Sequence, residues 1–498
     1  MPLSKLMGDS PRPPTISKTN GLNERNTSLG GDLFSRGATN FEAPPGRPAA
    51  ASAAVNRLIE ARRTAVSEFS EERRDKVKAA FTSRRVPVSA MRTIVSGPFR
   101  PRSGDLVLAR VERLRNLARI ELVTGRKASL HVGDEIVVAY GDRYATDLCE
   151  AHIPEGLDTT NLIASGGVAS NAVSRTKGTK NHTVITPIGL VGDDRGKPLN
   201  LMQFALDPVR PRRARPRTIA VLGTSMNSGK TTTSRYLVSG LSRAGLQPGA
   251  AKVTGTGSGG DYWVMFDAGA HQVLDFTDVG FSSTHRMPIE TLETAMIQLI
   301  DHLTEAGCGA IILEIADGIL QEQNRKLVQT DTFAECIDAV LFASGDSLGA
   351  MMGVTQLRQN GSRVLGVSGK LTASELLIRE TKSVCDVPVL RKDDLANPVV
   401  AKKIVEIATN RNIGTPDKKT SPPTIDTTPR ATNGSTLPAT NGSTLPAANG
   451  SATRAANGSR PPAANGSPPP AAKGSTPHVV PLAADGSSRG LGPNRRMV

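Results

Sequence analysis

Gly223-Thr224-Ser225-Met226-Asn227-Ser228-Gly229-Lys230-Thr231 reads GxxxxGK[ST], the pattern of a phosphate-binding loop. An apolar run, Thr218-Ile219-Ala220-Val221-Leu222, precedes it, and a helix-like stretch from about Thr232 to Ala244 follows. That is the strand, loop and helix context the pattern requires. In such a loop, glycines let backbone N–H groups turn inward around a β-phosphate, the lysine reaches the β/γ oxygens and the hydroxyl residue ligates Mg²⁺. The helix N-terminus then faces the anion. Gly223, Thr224, Asn227, Ser228, Gly229, Lys230, Thr231 and Thr232 are therefore the candidate nucleotide contacts, with Lys230 also catalytic and Thr231 a Mg²⁺ ligand. An ordinary strand-to-helix turn would leave Lys230 unexplained.

Working outward, apolar strands alternate with helical patterns at Thr218–Leu222, Ala250–Val253, Ala310–Ile315, Ala339–Ala343, Val364–Val367 and Pro388–Leu390. Continuous apolar strands separated by helices suit a parallel sheet covered on both faces. Residues 217–412 are accordingly expected to form an α/β, doubly wound, mostly parallel domain. A phosphate-binding loop needs a second carboxylate, usually at the end of a neighbouring buried strand. Glu314, directly after Ile311-Ile312-Leu313, is the first candidate for a metal contact and Asp317 the second; the bland alternative is a carboxylate capping a turn. The Gly-rich, hydroxyl-rich stretch Thr254–Asp261 falls at the C-terminal edge of the sheet, where open α/β folds bind ligands. Asp261 is read there either as orienting a substrate amine or metal-bound water, or as a helix N-cap. The polar run from Asp275 through Asp278 to Ser282-Ser283-Thr284-His285 reads better as a surface loop than as a lid.

Before this domain the sequence changes character. Residues 1–50 and 413–498 are expected to be disordered, and the tail carries an imperfect eight-residue repeat on Asn-Gly-Ser at Asn433, Asn441, Asn449, Asn457 and Asn465. With hardly any large apolar residue per unit, stacking would bury no core. Residues 51–90 show helical periodicity from Ala53 to Phe81, through Leu58, Ile59, Val66, Phe69 and Val77. Residues 91–207 contain short strand patterns divided by turn signals, as in a small β-rich, barrel-like domain. Residues 208–216, Pro-Val-Arg-Pro-Arg-Arg-Ala-Arg-Pro, read as a basic Pro-rich linker.

The 498-residue chain has a formal charge of +15, but residues 217–412 are slightly acidic, so the excess lies outside the expected catalytic domain. Basic spacers without interleaved aromatics do not make a base-stacking surface, and nucleic acid is not the expected partner. The group Arg175, Lys177, Lys180 and His182 reads as a solvated loop. Four widely spaced cysteines, Cys149, Cys308, Cys336 and Cys385, form no CxxC pair and fit a reducing compartment. No apolar run approaches the ~20 residues of a membrane span. A cytoplasmic location is expected, with a nucleotide, a small-molecule substrate, a protein partner for the β-rich domain and a homo-oligomer as the candidate associations.

No Asn-Lys-x-Asp guanine-reading motif occurs, and position 224 is Thr where partition-type ATPases carry a second lysine. Taken together, the loop, Ala251-Lys252-Val253-Thr254-Gly255 and Glu314 resemble dethiobiotin synthetase. That likeness implies Mg²⁺ and ATP as cofactors, Lys252 as a substrate or γ-phosphate contact and Glu314 as a metal ligand. Ser225 and Asn227 stand where that family has acidic residues. Gly259-Gly260-Asp261-Tyr262-Trp263 and Ala268-Gly269-Ala270 are similar to elements of the molybdopterin-guanine-dinucleotide biosynthesis adaptor family, which implies GTP in place of ATP. Both resemblances span about 218–404. The function expected is Mg-nucleotide-dependent phosphoryl transfer or ligase-type activation of a small carboxylate or carbamate-like group by Lys230, Lys252 and Glu314, with a slowly hydrolysing adaptor as the alternative.

Overall fold

The computed structural model describes residues 64–409; the expectations for 1–50 and 413–498, and the start of the 51–90 segment, lie outside the described residues. Twelve strands come first: β1 (Ala65–Glu68), β2 (Lys78–Ala79), β3 (Thr93–Ser96), β4 (Leu106–Arg113), β5 (Arg119–Glu121), β6 (Lys127–Ser129), β7 (Glu135–Tyr140), β8 (Arg143–Ala145), β9 (Cys149–His152), β10 (Thr160–Ala164), β11 (Val168–Arg175) and β12 (Thr183–Gly192). Ten of them share one sheet in the order β1-β3-β12-β4-β7-β11-β9-β8, with β10 against β11 and β12 and β2 against β7; β5 and β6 pair separately. Alternate residues of one strand point to opposite faces. Thus Leu106, Leu108, Val137 and Ala139 join one buried cluster, and Val107, Ala109, Val138 and Tyr140 another. Burial on both faces is why Leu106-Val107-Leu108-Ala109 and Ile136-Val137-Val138-Ala139 are continuous apolar runs.

The helical periodicity of the 51–90 segment does not produce a long helix in its described part. The backbone runs as β1, a short helix Glu71–Lys76, β2 and a 3₁₀ turn Phe81–Ser83. Ala65–Glu68 pairs antiparallel with Thr93–Ser96, and Phe69 packs beside Ile94 and Leu106. Edge pairing and burial of Phe69 override a weak local propensity.

The second sheet contains β13 (Arg217–Gly223), β14 (Pro248–Thr254), β15 (Gln272–Asp275), β16 (Ala310–Ile315), β17 (Ala339–Ala343) and β18 (Val364–Ser368), in the order β15-β14-β16-β13-β17-β18. Every neighbouring pair is parallel. Helices α1 (Lys230–Arg243), α2 (Gly260–Asp267) and α5 (Pro398–Thr409) bury Leu237, Leu241, Met265 and Ile404 against Ile219, Val221 and Ile312 on one face. On the other, α3 (Ile289–Glu305) and α4 (Ser347–Gln359) bury Leu292, Leu299, Val354 and Leu357 against Leu222, Leu313 and Phe342. The fold is α/β and doubly wound. One strand differs from expectation. Pro388–Leu390 touches the sheet through a single bridge, Val367 to Val389, because a proline at its start cannot donate to a ladder. The sixth strand is Gln272–Asp275, too short and too mixed to stand out by periodicity. No helix among the described residues is long and apolar enough to cross a membrane.

Two segments read as solvated are tied into the fold. In 208–216, Arg215 donates to Asp338 at 2.8 Å and to the Cys336 carbonyl at 2.7 Å. The run from Asp275 to Thr284 is not a surface loop: Asp275, Thr277, Asp278, Ser282, Ser283 and Thr284 are all buried. Their polar groups are satisfied across the junction of the two sheets. Arg84 reaches Asp275 at 3.1 Å and Asp278 at 2.6 Å, and Ser282 Oγ donates to the Tyr140 carbonyl at 2.5 Å.

Asp275 and Asp278 crowd around the Arg84 guanidinium in a buried place, with Arg85 3.8 Å from Asp278 on its outer side. Burial, with the Asp275 charge adding to it against Arg84, pushes the Asp278 carboxyl up to about 6. A carboxyl raised in the folded state favours folding below its unfolded value and loses that contribution as pH rises through about 6. Wild type should therefore lose stability relative to Asp278→Asn between pH 5 and 7.5, by an amount on the order of 1 kcal/mol. Urea unfolding of both proteins at the two pH values reads this difference; a pH-independent gap would contradict it.

Candidate nucleotide site

The loop joining β13 to α1 is shaped by backbone that few side chains tolerate. Gly229 has φ 107° and Asn227 φ 63°. A Cβ on Gly229 would sit 2.7 Å from the Gly369 Cα, and one on Gly369, itself at φ 97°, would sit 2.4 Å from the Ser228 carbonyl oxygen. Glycine at both positions lets the loop after β18 lie against the phosphate-binding loop, where Lys370 N–H donates to the Ser228 carbonyl at 2.9 Å. Asn227 is held from the first sheet, its amide donating to Asp147 at 2.5 Å.

Strand register explains which side chains meet. Lys252 pairs with Glu314 across β14 and β16, and Val221 pairs with Glu314 across β13 and β16. Counting in twos from Ile312, Glu314 points to the face covered by α1. Thr231 stands at the start of that helix, and its Oγ1 lies 2.9 Å from Glu314 Oε1 and 3.1 Å from Asp261 Oδ1. Asp261 also pairs with Lys252. Lys230 is buried and donates to the Ser225 carbonyl at 2.8 Å.

One hydroxyl proton cannot serve two carboxylates, so this group has an excess of acceptors. Glu314 Oε2 is buried with no partner. Burial, then repulsion from Asp261, pushes the Glu314 carboxyl up to about 7. Asp317 is likewise raised by burial. Burial alone would depress Lys252, but Asp261 and Glu314 outweigh it and hold the ammonium well above its usual value. Lys230 is lowered, chiefly by burial. An orphaned carboxylate oxygen beside a hydroxyl and a second carboxylate is a hard-oxygen donor set that fits Mg²⁺.

These groups line a cavity of ≈ 430 Å³, within the usual range of small-molecule sites. Of the residues expected from sequence, Asn227, Gly229, Lys230, Thr231, Thr232, Lys252, Glu314 and Asp317 line it. Gly223, Thr224 and Ser228 do not. Gly223 ends β13, Thr224 N–H donates to the Ala343 carbonyl at 3.0 Å, and Ser228 is buried behind the loop. Asp261, weighed as a helix cap, has its side chain on Lys252 and Thr231 instead.

Sequence reasoning missed Lys370 and the contribution of the first sheet. Arg143 and Tyr144 of β8 form one wall of the cavity. Arg143 Nε is buried without a hydrogen-bond partner, and Asp317 exerts its charge on that guanidinium. Nothing local marks these residues, since they arrive only when the β8–β9 turn packs on the loop. The groups read as a solvated loop divide: Arg175, Lys177 and Lys180 are exposed, while His182 is buried.

No family model matches the chain, and no curated protein does. Among solved structures, the signal recognition particle receptor FtsY from Elizabethkingia anophelis is 14% identical over 43% of this chain and 65% of its own, at a TM-score of 0.24. The hydrogenase maturation factor HypB from Archaeoglobus fulgidus is 11% identical over 39% and 90%, at 0.27. A nucleotide-binding protein in complex with ADP from Archaeoglobus fulgidus is 9% identical over 38% and 88%, at 0.26. This chain thus spans a little under two thirds of the first of these. The class is defined by this chain's own features: a parallel six-stranded sheet with GxxxxGK[ST] between its central strand and α1 makes this half a P-loop α/β fold.

Proposed function

We propose that the cavity binds a Mg²⁺-loaded nucleoside triphosphate and that the protein transfers its γ-phosphoryl group to a small carboxylate or carbamate-like substrate. The observation that carries this reading is the meeting of Lys230, Lys252, Thr231, Asp261 and Glu314 at one end of the parallel sheet. ATP is the first candidate, following the resemblance to dethiobiotin synthetase, and GTP the second. Thr231, Glu314 and Asp261 would hold Mg²⁺, with Asp317 next to them. When bound, Mg²⁺ neutralises phosphate charge and orients it.

The chain's own residues supply position and charge. Lys230 is aimed at the loop's interior and is freed from the Ser225 carbonyl when phosphate oxygens replace it. Lys252 is held protonated by Asp261, so its role is to donate hydrogen bonds to an anionic group and not to act as a base. Arg143, entering from the first sheet, adds a third cation whose fixed fork suits phosphate or carboxylate oxygens. Preorganised cations in a buried site stabilise charge spread over a transferring phosphoryl group.

One observation favours the adaptor reading: Asn227 of the loop bonds Asp147 of the first sheet, a contact through which the nucleotide state would reach a partner-binding surface. Product analysis with a panel of small carboxylates and amines separates the two. Phosphoryl transfer predicts at least a tenfold rise in nucleotide turnover with one carboxylate or carbamate and a phosphorylated or condensed product. Turnover that stays basal with every compound yet rises with a protein partner would replace the enzyme reading by the adaptor one.

A further inference from the structure

We infer that Glu150, His152 and His285 form a binding site for a divalent transition-metal cation, separate from the Mg²⁺ position at Thr231. Glu150 and His152 are two residues apart on β9, where Cys149 and Ala151 are buried and the alternate pair faces outward. A Glu-x-His pair on a strand puts both ligands on one face. His285 comes to them from the other sheet's loops, and one ligand atom from each of the three lies within 4.8 Å of the others. Two imidazoles and one carboxylate suit Zn²⁺, Fe²⁺, Co²⁺ or Ni²⁺, and not the all-oxygen preference of Mg²⁺ or Ca²⁺.

A second observation points to a ligand. Both ring nitrogens of His285 are shielded from solvent and have no hydrogen-bond partner, an arrangement that is costly unless something satisfies them. The backbone that delivers this ring is fixed. Thr284 N–H donates to the Gly255 carbonyl at 2.9 Å, Gly255 N–H donates to Thr284 Oγ1 at 2.9 Å, and Ser282 is bonded to Tyr140. Arg286, at φ 62°, turns away to Asp142 at 3.5 Å. The ring is thus presented to β9, tilted against the Tyr144 ring at 5.5 Å between centroids, with no hydrogen-bond partner of its own.

His152 Nε2 and Glu150 Oε1 share a hydrogen bond of 2.9 Å. A cation would replace that proton; bonds of ~2.1 Å at tetrahedral angles set ligand atoms about 3.4 Å apart, so this pair would open slightly to admit it. Side-chain rotation supplies this, since Glu150 and His152 are half-exposed. Three protein donors leave at least one position for an outside ligand. The small cavity beside His285 shares Tyr144, Gly255, Thr256 and Asp317 with the nucleotide cavity, so an outside ligand would sit next to that site. The cation would also join the two sheets.

The test uses the tag-free full chain, stripped with chelator and titrated with Zn²⁺ and separately with Co²⁺. One equivalent of each is expected, with a Co²⁺ visible spectrum of mixed nitrogen and oxygen ligation. His285→Gln and Glu150→Gln should each weaken Zn²⁺ binding by at least ~100-fold while keeping the wild-type circular dichroism, and Lys230→Ala should leave it unchanged. The last variant separates this site from the nucleotide reading. Absence of a bound equivalent in wild type, or equal Zn²⁺ affinity in wild type and both ligand variants, would overturn the inference. If the ligand variants do not fold, a Co²⁺ spectrum of wild type without imidazole features would overturn it as well.

Discussion

Lys230→Ala should lower nucleotide turnover by about 10²–10³-fold, the range expected when one preorganised donor to a transition-state oxygen is lost. Lys230 is the buried cation at the first turn of α1, with its ammonium on the Ser225 carbonyl inside the loop. No other cation can take its place. Lys252 is committed to Asp261, Arg143 comes from the opposite wall, and Lys370 lies beyond the Gly369 turn. Removing an ammonium from a cluster with Glu314, Asp261 and Asp317 also leaves the carboxylates less compensated, so phosphate should bind more weakly as well. Phosphate release by wild type and variant at saturating Mg-nucleotide measures the first effect. Turnover within twofold of wild type would remove Lys230 from the chemistry.

The largest stability effect should come from Arg84→Met. Its guanidinium is buried between Asp275 and Asp278, donates to Thr277 Oγ1 and lies 4.1 Å from the Phe81 ring centroid. Deleting one partner of a buried ion pair typically costs 3–5 kcal/mol because an uncompensated charge stays behind. Here two carboxylates stay behind with only Arg85, 3.8 Å from Asp278, to face them, and Arg84 belongs to the first sheet's chain segment while both aspartates belong to the second. Methionine keeps most of the volume, so the loss is electrostatic. Urea unfolding should show a decrease of about 3–5 kcal/mol at pH 7. The double variant Arg84→Met/Asp278→Asn should recover part of it, since one stranded charge is gone; a strictly additive or greater loss would mean the ion pair is not the cause.

What was legible in the sequence is what neighbouring residues decide. GxxxxGK[ST] after an apolar run located β13 and α1, and continuous apolar runs located β14, β16, β17 and β18, because strands buried on both faces cannot alternate. Glu314 was visible for the same reason: a carboxylate ending a buried strand is expensive unless something uses it. Gln272–Asp275 was not visible. At an edge, four residues with a polar one at each end carry no periodic signal. The helix-like spacing through Phe69 misled because the same residues serve a strand edge and a core position, and long-range packing decides between them. Asp275, Asp278 and the Ser282-Ser283-Thr284 run looked solvated because polarity is a local property, while their partners, Arg84 and the Tyr140 carbonyl, lie far away in the chain. Arg143 and His285 were hidden in the same way, their neighbours being created by the docking of one sheet's loops on the other's.

Isothermal titration of the stripped full chain with Mg-ATP and with Mg-GTP tests the central claim most directly. Saturable binding of at least one of them to wild type at one site per chain, lost in Lys230→Ala, is the predicted result. The absence of binding of either nucleotide to folded wild-type protein would contradict the account.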